Sequence, residues 1–160
     1  MKEGGALPRI EDKLKEMGHE LPLPPSPLAN YIPGYQTGNL VFLSGVGPRS
    51  TDGSMSTGKL GREFTVDQGY AAARTCALNL LANLKSVIGD LDRVLHIVKV
   101  LGMVNCEPEF GQQPQVINGC SDLLVEAFGE RGRHARSAVG MNGLPNGIPV
   151  EIEMIVEVGG

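Results

Sequence analysis

The sequence predicts an α+β fold in which two helices pack on one face of a mixed β-sheet. Two observations indicate it: two segments repeat their apolar residues every three or four positions, as amphipathic helices do, and several shorter segments are apolar runs typical of strands. The chain has 160 residues, of which 41% are hydrophobic, as expected for one compact domain. Helices on one face leave the other face of the sheet to solvent or to a second subunit.

Composition and charge exclude several classes of protein. No apolar run approaches the roughly 20 residues that cross a bilayer, and residues 1–9 lack the apolar core of a secretory signal. The formal net charge of −4 gives no global attraction for nucleic acid. Cys76, Cys106 and Cys120 are widely spaced and lack the CxxC spacing of a zinc site. We therefore expect a soluble cytoplasmic protein with reduced thiols, no metal and no membrane partner.

The N-terminal segment is expected to be an extension of the domain. Ile10, Leu14 and Met17 have helical spacing among charged residues, which predicts a short amphipathic helix. The proline-rich stretch that follows lacks backbone donors and favours an extended connector. We therefore assign residues 1–29 to the extension and residues 30–160 to the domain.

The domain begins with a core strand and a long helix. Residues 40–43 are a continuous apolar run, which predicts a buried strand, and the polar, glycine-rich segment after it predicts a surface loop. The strongest periodic pattern follows over residues 66–88. Thr65 and Gln68 fit a capping box at its start, and Gly89 is a suitable stop. A coiled coil also fits this spacing, but the pattern lasts only about three heptads, which favours packing on a sheet.

The second half of the chain predicts a strand, a helix and two more strands. Residues 94–104 are rich in Val, Ile and Leu, and residues 114–127 have helical spacing after a proline that can begin a helix. Residues 135–141 and 150–158 flank a turn-rich segment and predict a terminal hairpin. In the last strand apolar residues alternate with glutamates, so one face is apolar and the other is acidic.

No local catalytic motif occurs in the chain. GxGxxG, GxxxxGK[ST], GxSxG and HExxH are all absent, so phosphate-loop, hydrolase-elbow and zinc-protease mechanisms have no local support. Any chemistry must come from residues scattered along the sequence. The candidates are Arg136, Glu151, Glu153, Tyr31, Ser44, Asn118, His134 and the three cysteines. The cysteines are expected to be buried or to lack an activating neighbour, so thiol catalysis is not expected.

Arg136 lies within a predicted strand, where a permanent cation needs solvent or an anionic partner. It is either a hydrated strand arginine or a clamp for a carboxylate or phosphate, which a guanidinium binds through two parallel hydrogen bonds. Glu151 and Glu153 share one face of the strand predicted to pair with it, so one of them is expected to neutralise Arg136 or to hold a water. A surface ion pair is the alternative. His134 belongs to a cationic cluster that either contacts a phosphate or is simply hydrated.

Four segments of the chain together match the pattern of one known family. They are Tyr31-Ile-Pro-Gly-Tyr-Gln-Thr-Gly-Asn-Leu-Val-Phe-Leu-Ser-Gly45, the long helix, Ala135-Arg-Ser-Ala-Val139, and Leu144-Pro followed by Val150-Glu-Ile-Glu-Met-Ile155. On these residues the chain resembles the Rid (YjgF) family, the reactive intermediate deaminases, over about residues 30–158. It is similar to a divergent branch often labelled endoribonuclease L-PSP.

The resemblance implies a chorismate-mutase-like (YjgF-like) α+β fold, assembled as a homotrimer with clefts between neighbouring subunits. Characterised members hydrolyse reactive 2-imino or enamine acids to 2-oxo acids and ammonia without a metal or an organic cofactor. By match to the family, Arg136 binds the substrate carboxylate, Glu151 positions or activates water, and Tyr31 closes the cleft from a neighbouring subunit. The other implied substrate-binding residues are Ser44, Gly45, Asn118 and Ala138, where the backbone of Gly45 and Ala138 orients the imine.

Three functions stay open at this point. The first is imine or enamine deamination, with a small 2-imino or 2-oxo acid as the partner in the cleft. The second is a non-catalytic trimer that binds a small ligand or a protein, which is favoured by Ala138, where active family members often carry cysteine. The third is RNA cleavage or RNA binding, which an acidic chain with few aromatic residues disfavours.

Overall fold

The computed structural model describes residues 9–26 and 29–160, which form a five-stranded sheet and three α-helices. The strands are β1 (Gly34–Thr37), β2 (Leu40–Leu43), β3 (Val94–Asn105), β4 (Ala135–Met141) and β5 (Val150–Val158). The helices are α1 (Ile10–Glu16), α2 (Val66–Ile88) and α3 (Gln113–Phe128). The α+β class expected from the sequence is therefore confirmed. No helix in the described ranges is long and apolar enough to cross a membrane.

The sheet has the strand order β1-β2-β5-β3-β4, and only the β3–β4 pair is parallel. The predicted terminal hairpin is therefore wrong, because β5 pairs with β2 and β3 and does not touch β4. Helix α3 carries the chain from β3 back to the start of β4, and a crossover of this kind produces a parallel pair. The turn-rich segment after β4 then crosses the end of β3, so that β5 lies at the centre of the sheet, between β2 and β3.

The hydrophobic core lies between α2, α3 and one face of the sheet. The expected capping box is present, because the Thr65 side chain accepts from the Gln68 amide and the Gln68 side chain accepts from the Thr65 amide. Gly89 ends the helix with φ of 83°, in the left-handed region. Helix α2 packs closely on α3, because a Cβ atom at Gly119 would overlap the carbonyl oxygen of Tyr70. The long helix therefore packs within the domain and not as a coiled coil.

Helix α1 adds to this core from within the predicted extension. Ile10 and Leu14 are only 2% and 1% exposed and belong to the same hydrophobic cluster as α2 and α3. The Ile10 amide donates to Asp92 Oδ1 at 2.9 Å, which fixes the start of the helix. Residues 1–8 and 27–28 of the predicted extension lie outside the described residues.

The second face of the sheet carries no helix within the described part of the chain. We call it the open face, and it carries Phe42, Lys99, Leu101, Glu153 and Ile155. Phe42 is 45% exposed, although it lies on a strand next to the centre of the sheet. A half-covered sheet with exposed apolar side chains is the arrangement expected of a chain that associates with other copies.

Candidate functional site

Arg136 lies near the start of the edge strand β4, and its side chain is on the side of the helices. It pairs with Val100, which is fully buried on that side. Arg136 Nη1 donates to Asn118 Oδ1 at 2.8 Å and to Ser121 Oγ at 3.1 Å, and both acceptors belong to α3. Arg136 and Asn118, two of the residues named from the sequence, are thus joined by a direct hydrogen bond. The parallel β3–β4 pair and the α3 crossover bring the two residues together.

The guanidinium of Arg136 has unused donors. Within the described residues no carboxylate forms an ion pair with it, and its hydrogen bonds all come from Nη1. Arg93 also lacks a carboxylate partner, but its Nε, Nη1 and Nη2 all donate to backbone carbonyls. Arg136 therefore differs from a structural arginine, because Nε and Nη2 are left to bind an anion.

His134 and Ser121 extend the hydrogen bonds around Arg136. His134 Nδ1 lies 2.7 Å from the carbonyl oxygen of Gly132, which can only accept, so Nδ1 carries the proton. Nε2 of the neutral ring then accepts from the Ser121 hydroxyl at 2.9 Å. Burial lowers the pKa of His134 below 6.5, and the nearby Arg136 cation lowers it further, against the raising effect of the Gly132 carbonyl. Ser121 thus donates to His134 and accepts from Arg136.

Glu151 is the first of the glutamates that alternate with apolar residues in β5. It lies beside Gly45, which follows the end of β2. A Cβ atom at Gly45 would lie 3.1 Å from Glu151 Oε1, so the glycine leaves room for the carboxylate. Burial raises the pKa of Glu151, and the charge of Glu153 raises it further. A carboxylate with a raised pKa is a stronger base than an exposed one.

A cavity of about 300 Å³ lies next to Gly45, between helix α2 and the loop that follows β2. We call it the loop cavity. Tyr31, Ser44 and Gly45 from the sequence-predicted set line it. The Ser44 hydroxyl donates to the Ile32 carbonyl at 2.6 Å, and Tyr31 is 56% exposed. Three of the predicted substrate-binding residues therefore share one cavity wall.

The structure does not bring Arg136 and Glu151 together within one protomer. Arg136 pairs with Val100 of β3, whereas Glu151 pairs with Met103 of the same strand. Positions 100 and 103 are an odd number of residues apart, so the two side chains are on opposite faces of the sheet. The expectation that Glu151 or Glu153 lies beside Arg136 is therefore wrong for a single chain, because β3 separates the strands that the hairpin would have joined.

The predicted site residues thus form two separate groups in one protomer. The arginine group is on the α3 side of β4 and consists of Arg136, Asn118 and Ala138, joined by Ser121 and His134. The glutamate group surrounds the end of β2 and consists of Glu151, Gly45, Ser44 and Tyr31. Sequence reasoning missed Ser121, because a serine on an amphipathic helix carries no signal of its own.

The cysteines and the acidic residues offer no further catalytic or metal centre in the described ranges. Cys76, Cys106 and Cys120 are all buried and free. Burial raises the pKa of Cys120 to about 12 and raises that of Cys76 well above its usual value, so both remain thiols. No group of three His, Cys, Asp or Glu side chains within residues 9–26 and 29–160 could hold a metal ion.

Comparison with known proteins gives one consistent result. The family model described as "YjgF/chorismate mutase-like, putative endoribonuclease" matches residues 11–150. Protein TCP17 of Trypanosoma cruzi is 42% identical over 151 residues, which is 94% of this chain and 94% of that protein.

Solved structures support the same relationship. The crystal structure of Atu1372 from Agrobacterium tumefaciens, a protein of unknown function, is 44% identical with a TM-score of 0.86 over 93% of this chain and 91% of that one. A structure from Shewanella oneidensis, described as a "putative endoribonuclease", is 34% identical with a TM-score of 0.90 over 94% of this chain and 100% of that one.

Proposed function

Because the chain belongs to the YjgF/chorismate-mutase-like (Rid) family, we propose that it hydrolyses reactive 2-imino or enamine acids to 2-oxo acids and ammonia in a cleft between subunits. The observation that carries the proposal is the incompletely bonded guanidinium of Arg136. Two neutral acceptors, Asn118 Oδ1 and Ser121 Oγ, fix its orientation without neutralising its charge. Nε and Nη2 are then available for a bidentate bond to the carboxylate of a small acid.

The separation of the two groups supports a cleft formed by two copies of the chain. The arginine group of one protomer and the glutamate group of its neighbour would together bind the carboxylate, orient the imine and hold a water. The open face, with Phe42 45% exposed, is an apolar surface that association would cover. We therefore propose the homotrimer that the family resemblance implies.

The reaction needs orientation more than a strong nucleophile, because a protonated imine is already electrophilic. Water adds to C2 of the imino acid, the C=N electron pair moves to nitrogen, and Glu151 takes a proton from the water. Glu151 passes this proton to nitrogen, the C–N bond breaks as ammonia leaves with the bonding pair, and the C2 hydroxyl gives its remaining proton to Glu151 as its oxygen becomes the carbonyl of the 2-oxo acid. The raised pKa of Glu151 suits this exchange, because such a carboxylate accepts a proton more readily.

The proposal is tested with imines generated in situ by an amino acid oxidase and followed by trapping with semicarbazide. Arg136→Ala should abolish turnover with an unchanged circular dichroism spectrum, because the anchor for the carboxylate is lost. Glu151→Gln should lower kcat with little change in KM, because the variant binds but cannot take the proton. Arg133→Ala is the matched control, since this exposed cation is three residues from Arg136 and its only ion pair among the described residues is with Glu130 on the surface. Wild-type turnover by Arg136→Ala would refute the proposal.

Mixing the two inactive variants tests the cleft between subunits. When Arg136→Ala and Glu151→Gln chains are unfolded together and refolded, a cleft is intact only if Arg136 comes from one variant and Glu151 from the other. Random assembly should therefore recover about a quarter of wild-type activity, because about one cleft in four receives both residues. No recovery in mixed oligomers would show that the two residues do not act in a shared cleft.

Binding without catalysis is the second candidate function, and Ala138 favours it. This residue is partly buried against the core and offers no polar side chain to the reaction. Binding of a 2-oxo acid that depends on Arg136, together with no acceleration of imine hydrolysis, would select this function over the first.

A further inference from the structure

The loop cavity extends beyond the predicted substrate-binding residues. Tyr31, Ser44 and Gly45 line one part of it, and Arg49, Asn79 and Asn83 line another. Its volume of about 300 Å³ is at the lower end of the range for small-molecule sites. Nothing in the proposed deamination uses the second group of residues.

Arg49 supplies a cation to this cavity. Its Nη2 donates to the Leu23 carbonyl at 2.9 Å, and no carboxylate in the described part of the chain forms an ion pair with it. The backbone around it is fixed, because Asn79 Nδ2 donates to the carbonyl oxygens of Gly47 and Arg49 at 3.1 and 3.0 Å. The loop therefore holds a guanidinium with unused donors at the cavity wall.

Asn83 supplies an unsatisfied polar group to the same wall. The residue lies one helical turn after Asn79 and is only 4% exposed. Its Oδ1 is buried and has no hydrogen-bond partner among the described residues. Oδ1 can only accept, so a carboxylate cannot be its partner. The Nδ2 group of the same amide makes no hydrogen bond to a described residue either, and it is the donor that a carboxylate in the cavity would accept from.

We propose that the loop cavity is the side-chain subsite of the enzyme and that it selects 2-imino and 2-oxo acids carrying a second carboxylate. The inference rests on the proposed function, which places C2 and the imine nitrogen of the substrate next to Ser44 and Gly45. The second carboxylate binds Arg49, in surroundings made polar by Asn83. An apolar side chain of the same length is rejected, because it would desolvate the guanidinium and leave the Asn83 Nδ2 donor without a partner.

The test is binding of the stable 2-oxo acids, which is measured by calorimetry and needs no turnover. The probes are 2-oxoglutarate and the monocarboxylate 2-oxohexanoate. We expect the wild type to bind 2-oxoglutarate at least about tenfold more tightly, the factor that one charge-assisted hydrogen bond supplies. Arg49→Gln should reduce this ratio to about one without weakening 2-oxohexanoate, and Arg49→Lys should keep part of it. Arg62→Gln is the matched control, because Arg62 pairs with Glu63 and Glu107 away from the cavity.

Asn83→Leu gives an independent readout. It should raise the melting temperature, because a buried orphan amide is replaced by an apolar group of similar size, and it should lower the preference for 2-oxoglutarate. Asn79→Leu should instead lower the melting temperature, because two bonds to the loop are lost. This comparison applies even if Arg49→Gln fails to fold.

The outcomes separate the subsite from the proposed function. Equal affinity of the wild type for both acids, or no binding of 2-oxoglutarate, refutes the subsite. A preference that survives in Arg49→Gln also refutes it. If both acids bind equally and both are lost in Arg136→Ala, the carboxylate anchor stands and the subsite fails. If the preference for 2-oxoglutarate is lost in Arg49→Gln and both acids bind Arg136→Ala as tightly as the wild type, the subsite stands and the proposed anchor fails.

Discussion

Exchanging Asn118 for aspartate tests directly whether the charge of Arg136 is available to a ligand. Asn118 Oδ1 already accepts from Arg136 Nη1 at 2.8 Å, so Asn118→Asp keeps the shape and the hydrogen bond and adds one negative charge. A guanidinium that recruits a substrate carboxylate would then be neutralised from within the protein. A guanidinium with a purely structural role would gain a partner and lose nothing.

The size of the effect follows from the geometry. At an effective dielectric constant of about 20, opposite charges about 4 Å apart attract by about 4 kcal/mol, and like charges about 6 Å apart repel by about 3 kcal/mol. The second distance is that between the new carboxylate and an acid bound on the far side of the guanidinium. Arg136 is partly exposed, and halving the repulsion for solvent screening leaves roughly a tenfold loss of affinity. The same screening limits the gain in stability to about 1 kcal/mol.

The assay is calorimetric titration with 2-oxohexanoate, paired with a thermal melt of each variant. Asn118→Asp should bind at least about tenfold more weakly and melt at the same or a higher temperature. Asn118→Ala is the control, because it removes the hydrogen bond without adding charge and should reduce both affinity and stability slightly. Unchanged affinity in Asn118→Asp would contradict the role given to Arg136.

Two further predictions concern pH and packing. Burial lowers the pKa of His134 below its unfolded value of 6.5. The free energy of unfolding should therefore fall as the pH drops from 6.5 through the folded-state pKa, because the unfolded chain binds the proton more readily. Urea denaturation at pH 5 and 7.5 should show a smaller decline for His134→Asn than for the wild type. Gly119→Ala should destabilise the fold by about 3 kcal/mol, because the new methyl group overlaps the Tyr70 carbonyl at the α2–α3 contact. Gly111→Ala, which has no neighbour within 4 Å, should leave the urea midpoint unchanged.

The elements of the fold that depend on local signals could be predicted from the sequence. The periodicity of α2, its capping box and the glycine stop are all contained in one segment, and the structure has them at the expected residues. The alternation in β5 likewise predicts its buried and exposed faces correctly. These features depend on contacts between residues a few positions apart, which a sequence displays directly.

Strand pairing could not be predicted in the same way, because it depends on contacts between distant residues. The turn-rich segment between β4 and β5 has the composition of a hairpin, but the crossover through α3 had already placed β4 beside β3. Strand β1, Gly34–Thr37, was missed because it is a short edge strand with mostly exposed residues and no apolar pattern. An edge strand needs only one partner, and β2 supplies it.

Prediction of the candidate site had the same limit. The resemblance named Arg136 and Asn118, and His134 was already a candidate from its cationic cluster. The fold adds Ser121, because the α3 crossover aligns one helix face with β4. Asn83 carried no such signal in the sequence, since it lies at the edge of the apolar stripe of α2, one turn after Asn79. Only the structure shows that this amide borders a cavity and lacks a partner.

The spacing of the two groups makes association a requirement of the proposed chemistry. Neighbouring strands lie about 4.8 Å apart and residues rise about 3.3 Å along a strand, so two strands and three residues separate the backbones of Arg136 and Glu151 by about 14 Å. The two side chains are also on opposite faces. In a 2-imino acid the carboxylate carbon is bonded directly to C2, the atom that water attacks. A carboxylate held by Arg136 therefore puts C2 beyond the reach of Glu151 in the same chain, and a neighbouring chain must supply the glutamate.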